Sequence, residues 1–232
     1  MNGVHSQADH GARTLELLWS MRAPSGRGPR PRVTLDEIAA AGVAWADTHG
    51  LAGLTLARVA GELSLTASAL YRHLDSKDAL LALMVDQAIG DPPQLSGASW
   101  RDRCRDWTTA LCQRYRQHSW VTQVQIAGAP SHPSAMAWLD LLLRELDQSP
   151  TDDPMRLAVL LDGLARAFAL IDVTSNPTPP PEWLSQAIAD RFPRLANELE
   201  RNWTDVDDEL AHAVDTVLTG SERLRTVQSS RP

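Results

Sequence analysis

Residues 51–81 decide the fold, and they read Leu51-Ala-Gly-Leu-Thr-Leu-Ala-Arg-Val-Ala-Gly-Glu-Leu-Ser-Leu-Thr-Ala-Ser-Ala-Leu-Tyr-Arg-His-Leu-Asp-Ser-Lys-Asp-Ala-Leu-Leu81. Thr55 and Thr66 are of the type that caps helix N-termini, and each precedes a short run with apolar residues at helical spacing. Ser64 lies between the two runs and indicates a tight turn. The stretch therefore predicts a helix-turn-helix arrangement, whose second helix enters the DNA major groove. An ordinary three-helix packing unit is the alternative, because similar patterns occur in many helical proteins.

Helices are predicted on both sides of this stretch. On the N-terminal side, Thr34 and Glu37 form a capping box, and the helix that they start ends at Gly50. On the C-terminal side, Ser76 begins a fourth helix, which stops before Pro92. Further helical segments are predicted near residues 99–118, 120–128, 132–148, 153–173, 181–200 and 205–224. No period-two run of β-branched residues is present in the sequence, so an all-α fold is predicted.

Charge is distributed unevenly along the chain. The 232 residues have a formal net charge of −7, which by itself argues against nucleic acid as a partner. Residues 1–78, however, contain eight basic and eight acidic residues, so the whole −7 lies in residues 79–232. A stretch without acidic residues holds four arginines, which are Arg22, Arg27, Arg30 and Arg32. Prolines and glycines between them predict an extended, mobile arm, and the apolar run from Leu15 to Trp19 before it is a candidate for a short docked helix. This asymmetry fits a protein that holds DNA at one end.

Several classes of protein are disfavoured by the composition. No apolar stretch approaches the ~20 residues of a membrane span, and residues 1–11 are polar and unlike a signal peptide. A cytoplasmic protein without a membrane partner is therefore expected. Cys104 and Cys112 lie eight residues apart on a predicted helix, about 12 Å along its axis, which is too far for a disulfide. A nucleophile motif, a phosphate-binding loop and a metal-ligand spacing are missing from the sequence, so no catalysis, cofactor or metal is predicted.

Residues 51–81 resemble the DNA-binding domain of the TetR family of transcription regulators. The most specific part of the resemblance is Leu70-Tyr-Arg-His-Leu74, followed by Ser76-Lys77 and Leu80-Leu81. Two later segments are similar to the end of a tetracycline-repressor-type effector domain, namely Arg191-Phe-Pro-Arg-Leu195 and Asp208-Glu-Leu-Ala-His-Ala-Val-Asp-Thr-Val-Leu-Thr-Gly220. The family usually has glycine where this chain has Ser64, and a non-glycine residue in a left-handed turn costs about 1 kcal/mol.

The resemblance implies four segments. They are a flexible basic arm at 1–31, a helix-turn-helix DNA-binding domain at 32–78, a helical ligand-binding and dimerisation domain at 79–224, and a disordered tail at 225–232. It also implies a ligand-responsive regulator, in the first place a repressor, that binds a palindromic operator in double-stranded DNA as a homodimer and is released by a small-molecule effector. A ligand-independent DNA-binding regulator and an activator are the alternatives.

The recognition helix is expected to supply most of the DNA contacts. Small side chains at its N-terminal part permit close approach to base edges, and they belong to Ala67, Ser68 and Ala69. The resemblance puts Tyr71 and Lys77 at phosphates, where Thr55 offers its hydroxyl and a backbone N–H from a helix N-terminus.

Two residues and the basic arm have open roles. Arg72 contacts either guanine or phosphate, and His73 either touches DNA or packs against its own helix. The arginines of the arm either enter a narrow minor groove or add only non-specific attraction to phosphates.

Tryptophans are the first candidates for effector contacts. The chain has eight tryptophans against two phenylalanines and two tyrosines. Trp107, Trp120 and Trp138 lie on the segments that line the pocket in relatives, and indole suits planar aromatic ligands. Core packing is the alternative for each of them. Weaker candidates are Tyr115, Gln123 and Phe168.

Dimer contacts are expected from the last long helices. An apolar stripe on the final helix is read equally as core or as dimer seam, and it consists of Leu210, Val214, Val217 and Leu218. The segment 153–173 is apolar on most sides, as expected of a helix that touches both its own core and a partner.

Overall fold

The computed structural model of the chain describes residues 13–19, 33–124, 131–171, 181–199 and 205–229. Within these ranges every regular element is a helix, which confirms the predicted all-α fold. Helix α1 comprises residues 13–18. The other helices are α2 (Leu35–His49), α3 (Leu56–Glu62), α4 (Ala67–Leu70), α5 (Lys77–Ile89), α6 (Trp100–Gln117), α7 (Pro133–Leu146), α8 (Pro154–Ala169), α9 (Glu182–Arg191), α10 (Pro193–Leu199) and α11 (Val206–Ser229). None of these described helices is long and apolar enough to cross a membrane.

Helices α2 to α4 form a small N-terminal head on the first turns of α5. Its helix starts are fixed by the predicted caps: the hydroxyls of Thr34, Thr55, Thr66 and Ser76 each accept a hydrogen bond from a backbone N–H three residues later. At Thr34 the capping box is complete, because Glu37 also accepts from the Thr34 backbone N–H at 2.7 Å. Such caps each contribute about 1 kcal/mol and set where a helix begins.

The turn between α3 and α4 is left-handed at Ser64. This residue has a φ of 54°, and it is the only non-glycine residue with positive φ in the part of the chain that the structure describes. Its backbone N–H donates to Gly61 O at 3.0 Å, and that of Leu65 donates to Ala60 O at 2.8 Å. These bonds close the turn, so the head keeps the conformation that glycine adopts more easily.

Replacing Ser64 by glycine is expected to raise the free energy of unfolding by about 0.5–1 kcal/mol. Glycine avoids the Cβ clash of the left-handed conformation, although its more flexible unfolded chain offsets part of the gain. Urea denaturation measures the difference, with Ser68→Gly inside α4 as a control that should lose stability. Equal or lower stability of Ser64→Gly would show that the turn is not strained.

The C-terminal body is built around α6, which contacts α7, α8 and α11. Buried side chains from all four helices meet there, among them Trp107, Leu142, Leu161 and Val214. Helix α5 links this body to the head, since it packs on α2 at one end and on α6 and α7 at the other. A movement inside the body can therefore reach the head through α5.

Both cysteines lie in this core. Cys104 and Cys112 are buried and free, as the spacing predicted. Burial raises the pKa of the Cys104 thiol to about 12 and raises that of Cys112 as well. Neither thiol is therefore an effective nucleophile near neutral pH.

The predicted helix at 120–128 is wrong over its first residues. A 3-10 turn occupies Ser119–Gln123, and Val124 is extended. The β-branched side chains of this segment favour helix weakly, and hydrogen bonds from His118 and Trp120 to Asp47 of the head fix a different backbone path.

The C-terminal third also differs from the prediction. The expected helix at 181–200 is two helices, α9 and α10, which meet at Phe192 with φ −136° and ψ 60°. Pro193 has no N–H and disfavours helical geometry at the residue before it, so it ends one helix and begins the next. The disordered tail predicted at 225–232 is wrong for 225–229, because α11 runs to Ser229. No proline interrupts the sequence of α11, and the next one along the chain is Pro232.

The flexible arm predicted at 1–31 is wrong for residues 13–19, where α1 is docked. Leu17 and Leu18 pack against the core, and the Trp19 indole N–H donates to Ser131 O at 2.9 Å. Arg13 pairs with Asp75 of the head at 3.2 Å. The short docked helix expected from the run Leu15 to Trp19 is thus confirmed, because its apolar side chains gain cover against the body. The arm arginines Arg22, Arg27, Arg30 and Arg32 lie outside the described residues.

Candidate DNA-binding face and effector domain

Helix α4 and the start of α5 present one exposed polar face of the head. Leu70 and Leu74 are fully buried and hold α4 on the head core. On the opposite side Ser68, Arg72 and Lys77 are exposed, and Tyr71 is 54% exposed although it is a large aromatic residue. Partly buried positions between them belong to Ala67, Ala69 and His73. The structure thus brings the predicted recognition residues together on one surface.

Thr55 lies at the N-terminus of α3, the helix that packs on α4. Its exposed hydroxyl accepts from the Arg58 N–H at 3.2 Å, so the helix end is ordered and its dipole points outward. Arg58 is exposed but ordered, because its Nη1 donates to Gly53 O at 2.6 Å and its guanidinium lies 5.6 Å from the Trp45 ring centroid. Arg58 therefore braces the loop in front of α3.

A carboxylate in the head joins the head to the body. Asp47 of α2 accepts hydrogen bonds from His118 Nδ1 and from Trp120 Nε1, each at 2.8 Å. His118 and Trp120 follow α6 directly and are 7% and 1% exposed. We call these three residues the Asp47 junction. Sequence reasoning missed Asp47, because its partners are 71 and 73 residues away.

A second set of contacts connects α5 to α7. Asp86 accepts from both the backbone N–H and the hydroxyl of Ser134, at 2.8 and 2.6 Å. The Trp138 indole N–H donates to Gly90 O at 2.9 Å. Since α5 begins at the recognition face with Lys77, these bonds place the start of α7 in mechanical contact with the DNA-binding surface.

The aromatic residues predicted for the effector site are mostly buried in the body. Trp107 and Trp138 pack edge to face, with ring centroids 5.8 Å apart, and the Trp107 indole N–H donates to Trp138 O at 2.8 Å. Trp120 belongs to the Asp47 junction instead. Gln123 is exposed and Phe168 is half-buried. Their part in effector binding stays a prediction.

Tyr115, the remaining candidate, belongs to a polar cluster between α6 and α8. Its hydroxyl donates to Asp162 Oδ1 at 2.7 Å and accepts from Arg166 Nη2 at 3.1 Å. Burial first, and then the charge of Asp162, raises the pKa of Tyr115 well above its usual value, so the phenol stays protonated. Sequence reasoning missed Asp162 and Arg166, although two charges four residues apart on an otherwise apolar helix were a visible signal.

Helices α8 and α11 pack on each other, and each also has residues exposed to solvent. On α8 Val159 is 63%, Leu160 51% and Leu170 65% exposed, while the Gly163 position has open space above it. The apolar stripe on α11 packs in the core of its own chain, where Leu210, Val214 and Leu218 are buried. Outside that stripe, α11 carries a shallow groove of about 460 Å³ lined by His212, Asp215, Thr216, Thr219, Gly220 and Arg223.

The sequence comparisons agree with this architecture. Residues 38–84 match the family model described as bacterial regulatory proteins, tetR family. HTH-type transcriptional repressor DrrR1 of Streptomyces coeruleorubidus is 36% identical over 157 residues, or 66% of this chain and 58% of the repressor. An HTH-type transcriptional regulator of Saccharopolyspora erythraea is 31% identical over 110 residues, or 47% of each chain. Residues 38–84 therefore form a DNA-binding domain of the tetR family. The chain spans about half the length of these curated relatives, which are regulators and not enzymes.

Solved structures share the fold of the whole chain. The TetR family protein ActR of Streptomyces coelicolor, in complex with (S)-DNPA, superposes with a TM-score of 0.67 at 22% identity and covers 84% of this chain and 98% of its own. A single-residue variant of TetR from Acinetobacter baumannii AYE, in complex with minocycline, superposes with a TM-score of 0.62 at 18% identity, covering 84% of this chain and 96% of its own. These likenesses establish a helix-turn-helix head on a helical body as the shared architecture.

Proposed function

We propose that this chain is a cytoplasmic, ligand-responsive repressor of the TetR family, which binds a palindromic operator as a homodimer and is released by a small-molecule effector. The observation that carries the proposal is the exposed recognition face, on which polar and aromatic side chains stand out while Leu70 and Leu74 anchor the helix behind them. A large aromatic such as Tyr71, left 54% exposed, gains cover when the face meets DNA.

The recognition face divides into base-reading and phosphate-binding parts. Ala67, Ser68 and Ala69 open α4, and their small side chains would allow methyl and hydroxyl contacts with base edges. The phosphate-binding part is formed by Thr55, Tyr71 and Lys77, which surround them. Arg72 is exposed on the same side and is assigned to a base contact, while His73, only partly exposed, is assigned to the rim.

Removing the Tyr71 side chain or the Lys77 charge is expected to weaken operator binding about tenfold each, because each removes a phosphate contact. Lys77→Ala should also reduce the slope of log affinity against log salt concentration by about 1, the contribution of one phosphate contact. Both side chains are exposed, so stability should not change. Fluorescence anisotropy at several salt concentrations measures this, with Arg144→Ala as control, since the Arg144 side chain is 65% exposed on helix α7 and pairs with Asp140 of the same helix. Unchanged affinity of both variants would exclude this face as the DNA-binding surface.

The exposed surfaces of α8 and α11 support a homodimer. Helix α8 carries exposed apolar side chains and contacts α11, which carries the groove, and a second copy related by two-fold symmetry would cover these surfaces. Two heads must be held about 34–36 Å apart to read the half-sites of a palindrome. The dimer supplies this spacing, and one head alone reads only half of the site.

Two sets of contacts support release by an effector: the Asp47 junction between head and body, and the Asp86–Ser134 contact between α5 and α7. A ligand that prefers a body in which the Asp47 junction or the Asp86–Ser134 contact is displaced would rotate the head and change the half-site spacing. ActR and the Acinetobacter baumannii TetR variant, which share the fold, were solved with small molecules bound. Because this chain shares their fold, we assign effector binding to its helical body.

A ligand-independent regulator is the second candidate. The observation in its favour is that Trp107, Tyr115, Trp120 and Trp138 are packed in the core with their polar hydrogens donated inside the chain. A body whose interior is filled by these side chains would have no space for a ligand and would serve only for dimerisation. Release of operator DNA by a small molecule separates this candidate from the first, and an activator would differ in raising transcription.

In vitro selection of short genomic duplexes tests the proposal as a whole. The purified protein at physiological salt should enrich one palindromic site, and the genes beside that site would direct the search for the effector. A parallel selection without residues 1–31 tests the proposed minor-groove role of Arg22, Arg27, Arg30 and Arg32, although this truncation also removes α1. Variants with these four arginines replaced by glutamine keep α1 and should lose preference for A·T-rich flanks. Failure to enrich any sequence would overturn the regulator proposal.

A further inference from the structure

An exposed arginine of the head, Arg58 on α3, is held in one orientation by its neighbours. Its Nη1 donates to Gly53 O at 2.6 Å, and its central carbon lies 5.6 Å from the centroid of the Trp45 ring. The indole is itself held in place, because His49 stacks on it with ring centroids 4.6 Å apart. Gly53 leaves room for the guanidinium, since a Cβ at this position would clash with Nη1. The guanidinium is therefore oriented from two sides although the residue is exposed.

The positive charge of Arg58 has no counterion in the part of the chain that the structure describes. No carboxylate there forms an ion pair with it, and the neutral Gly53 carbonyl takes up only one nitrogen of its fork. Ordering a long side chain costs conformational entropy, and an exposed hydrogen bond to a neutral acceptor offsets little of that cost. An anion that meets the ordered fork binds more tightly, because this entropy has already been lost. Arg58 is therefore preorganised for an anion that reaches the head from outside.

The place of Arg58 in the head indicates which anion this is. Helix α3 is the first helix of the helix-turn-helix, and in such a motif the first helix crosses the DNA backbone while the second reads bases. Side chains on a helix lean toward its N-terminus, and the hydrogen bond to Gly53 O shows this direction for Arg58. The guanidinium consequently lies near the start of α3, which Thr55 caps. A planar fork matches the oxygens of a phosphate.

We propose that Arg58 is a further phosphate-binding residue of the head, and that Trp45 and Gly53 position it. The inference rests on the proposed binding of operator DNA and adds a backbone contact outside α4 and α5. A phosphate of the duplex would accept from the rest of the fork while Nη1 stays on Gly53 O. Phosphate contacts carry no sequence information directly. Arg58 therefore strengthens binding to the operator and to unrelated duplexes alike.

Fluorescence anisotropy of the full chain with a labelled duplex of unrelated sequence, about 30 base pairs or three helical turns long, tests the assignment without a known operator. Arg58→Gln should weaken binding about tenfold and lower the slope of log affinity against log salt concentration by about 1 for each bound head. Arg58→Lys keeps the charge without the planar fork, so it should keep the slope and recover part of the affinity. Arg144→Gln is the matched control, because this arginine is exposed on α7 and pairs only with Asp140 of its own helix.

A double-mutant cycle with Trp45→Leu tests the positioning. This substitution keeps apolar cover but removes the ring under the guanidinium, so it should weaken binding about threefold in the native chain and much less in Arg58→Gln. Equal losses in the two backgrounds would overturn the positioning role of Trp45, since a general loss of head stability acts in both.

An Arg58→Gln chain with native affinity, or one that binds more weakly at an unchanged salt slope, would overturn the phosphate contact. Operator selection with the native chain is a separate measurement. A chain that binds the unrelated duplex through Arg58 yet enriches no operator would overturn the regulator proposal alone.

Discussion

Val159→Asp is expected to turn the dimer into a monomer and to weaken operator binding by at least about 100-fold. Val159 is 63% exposed at the centre of the uncovered α8 face, beside Leu160 and the open space above Gly163. Two-fold symmetry introduces the substitution twice, so each new carboxylate would be buried near its copy without a partner. The isolated chain loses little, because the side chain contributes little to its own core.

Light scattering after gel filtration measures the oligomeric state, and anisotropy compares a full palindrome with a single half-site. Val159→Asp should bind the half-site as well as the native chain does, because the head is untouched. Met136→Asp is the control: it introduces the same charge at a 41% exposed position of α7 and should leave the dimer intact. A Val159→Asp protein that remains dimeric would place the dimer seam elsewhere.

The parts of this fold that local chemistry determines were predictable from the sequence. A hydroxyl that caps a helix needs only the three residues after it, so Thr34, Thr55, Thr66 and Ser76 were identified correctly. The strained turn at Ser64 was equally local, since the resemblance pointed to a glycine position and the φ of 54° confirms it. The recognition face follows directly, because it lies between these caps.

The contacts that join distant segments were not predictable in this way. Nothing in the sequence distinguishes Asp47 from other acidic residues on helix surfaces. Its role depends on His118 and Trp120, which only the folded chain brings beside it. The role of Trp120 was equally hard to predict, because an indole suits both a ligand pocket and a contact between domains. Its hydrogen bond to Asp47 decides between the two roles. The break at Phe192 has a local cause, because Pro193 disfavours helical geometry at the residue before it.

Asp47→Ala is expected to lower the free energy of unfolding by about 2–3 kcal/mol. The substitution leaves two buried donors without an acceptor, the Trp120 indole N–H and the His118 ring N–H, which both point at Oδ1 in the native chain. The partial exposure of Asp47, whose side chain is 31% accessible, keeps the loss below that of a fully buried ion pair. Urea denaturation measures the loss, with Asp140→Ala as a control whose acid forms only an exposed pair with Arg144.

The same substitution should loosen the head from the body. Tryptophan fluorescence of Asp47→Ala should reveal a head that unfolds before the body, whereas the native chain unfolds in one transition. Asp47→Asn separates hydrogen bonding from charge, because both donors share Oδ1 in the native chain and an amide oxygen can accept from both. This variant should therefore restore most of the lost stability. If Asp47→Ala unfolds in one transition at native stability, the junction is not what fixes the head, and the Asp86–Ser134 contact becomes the path by which the body controls the recognition face.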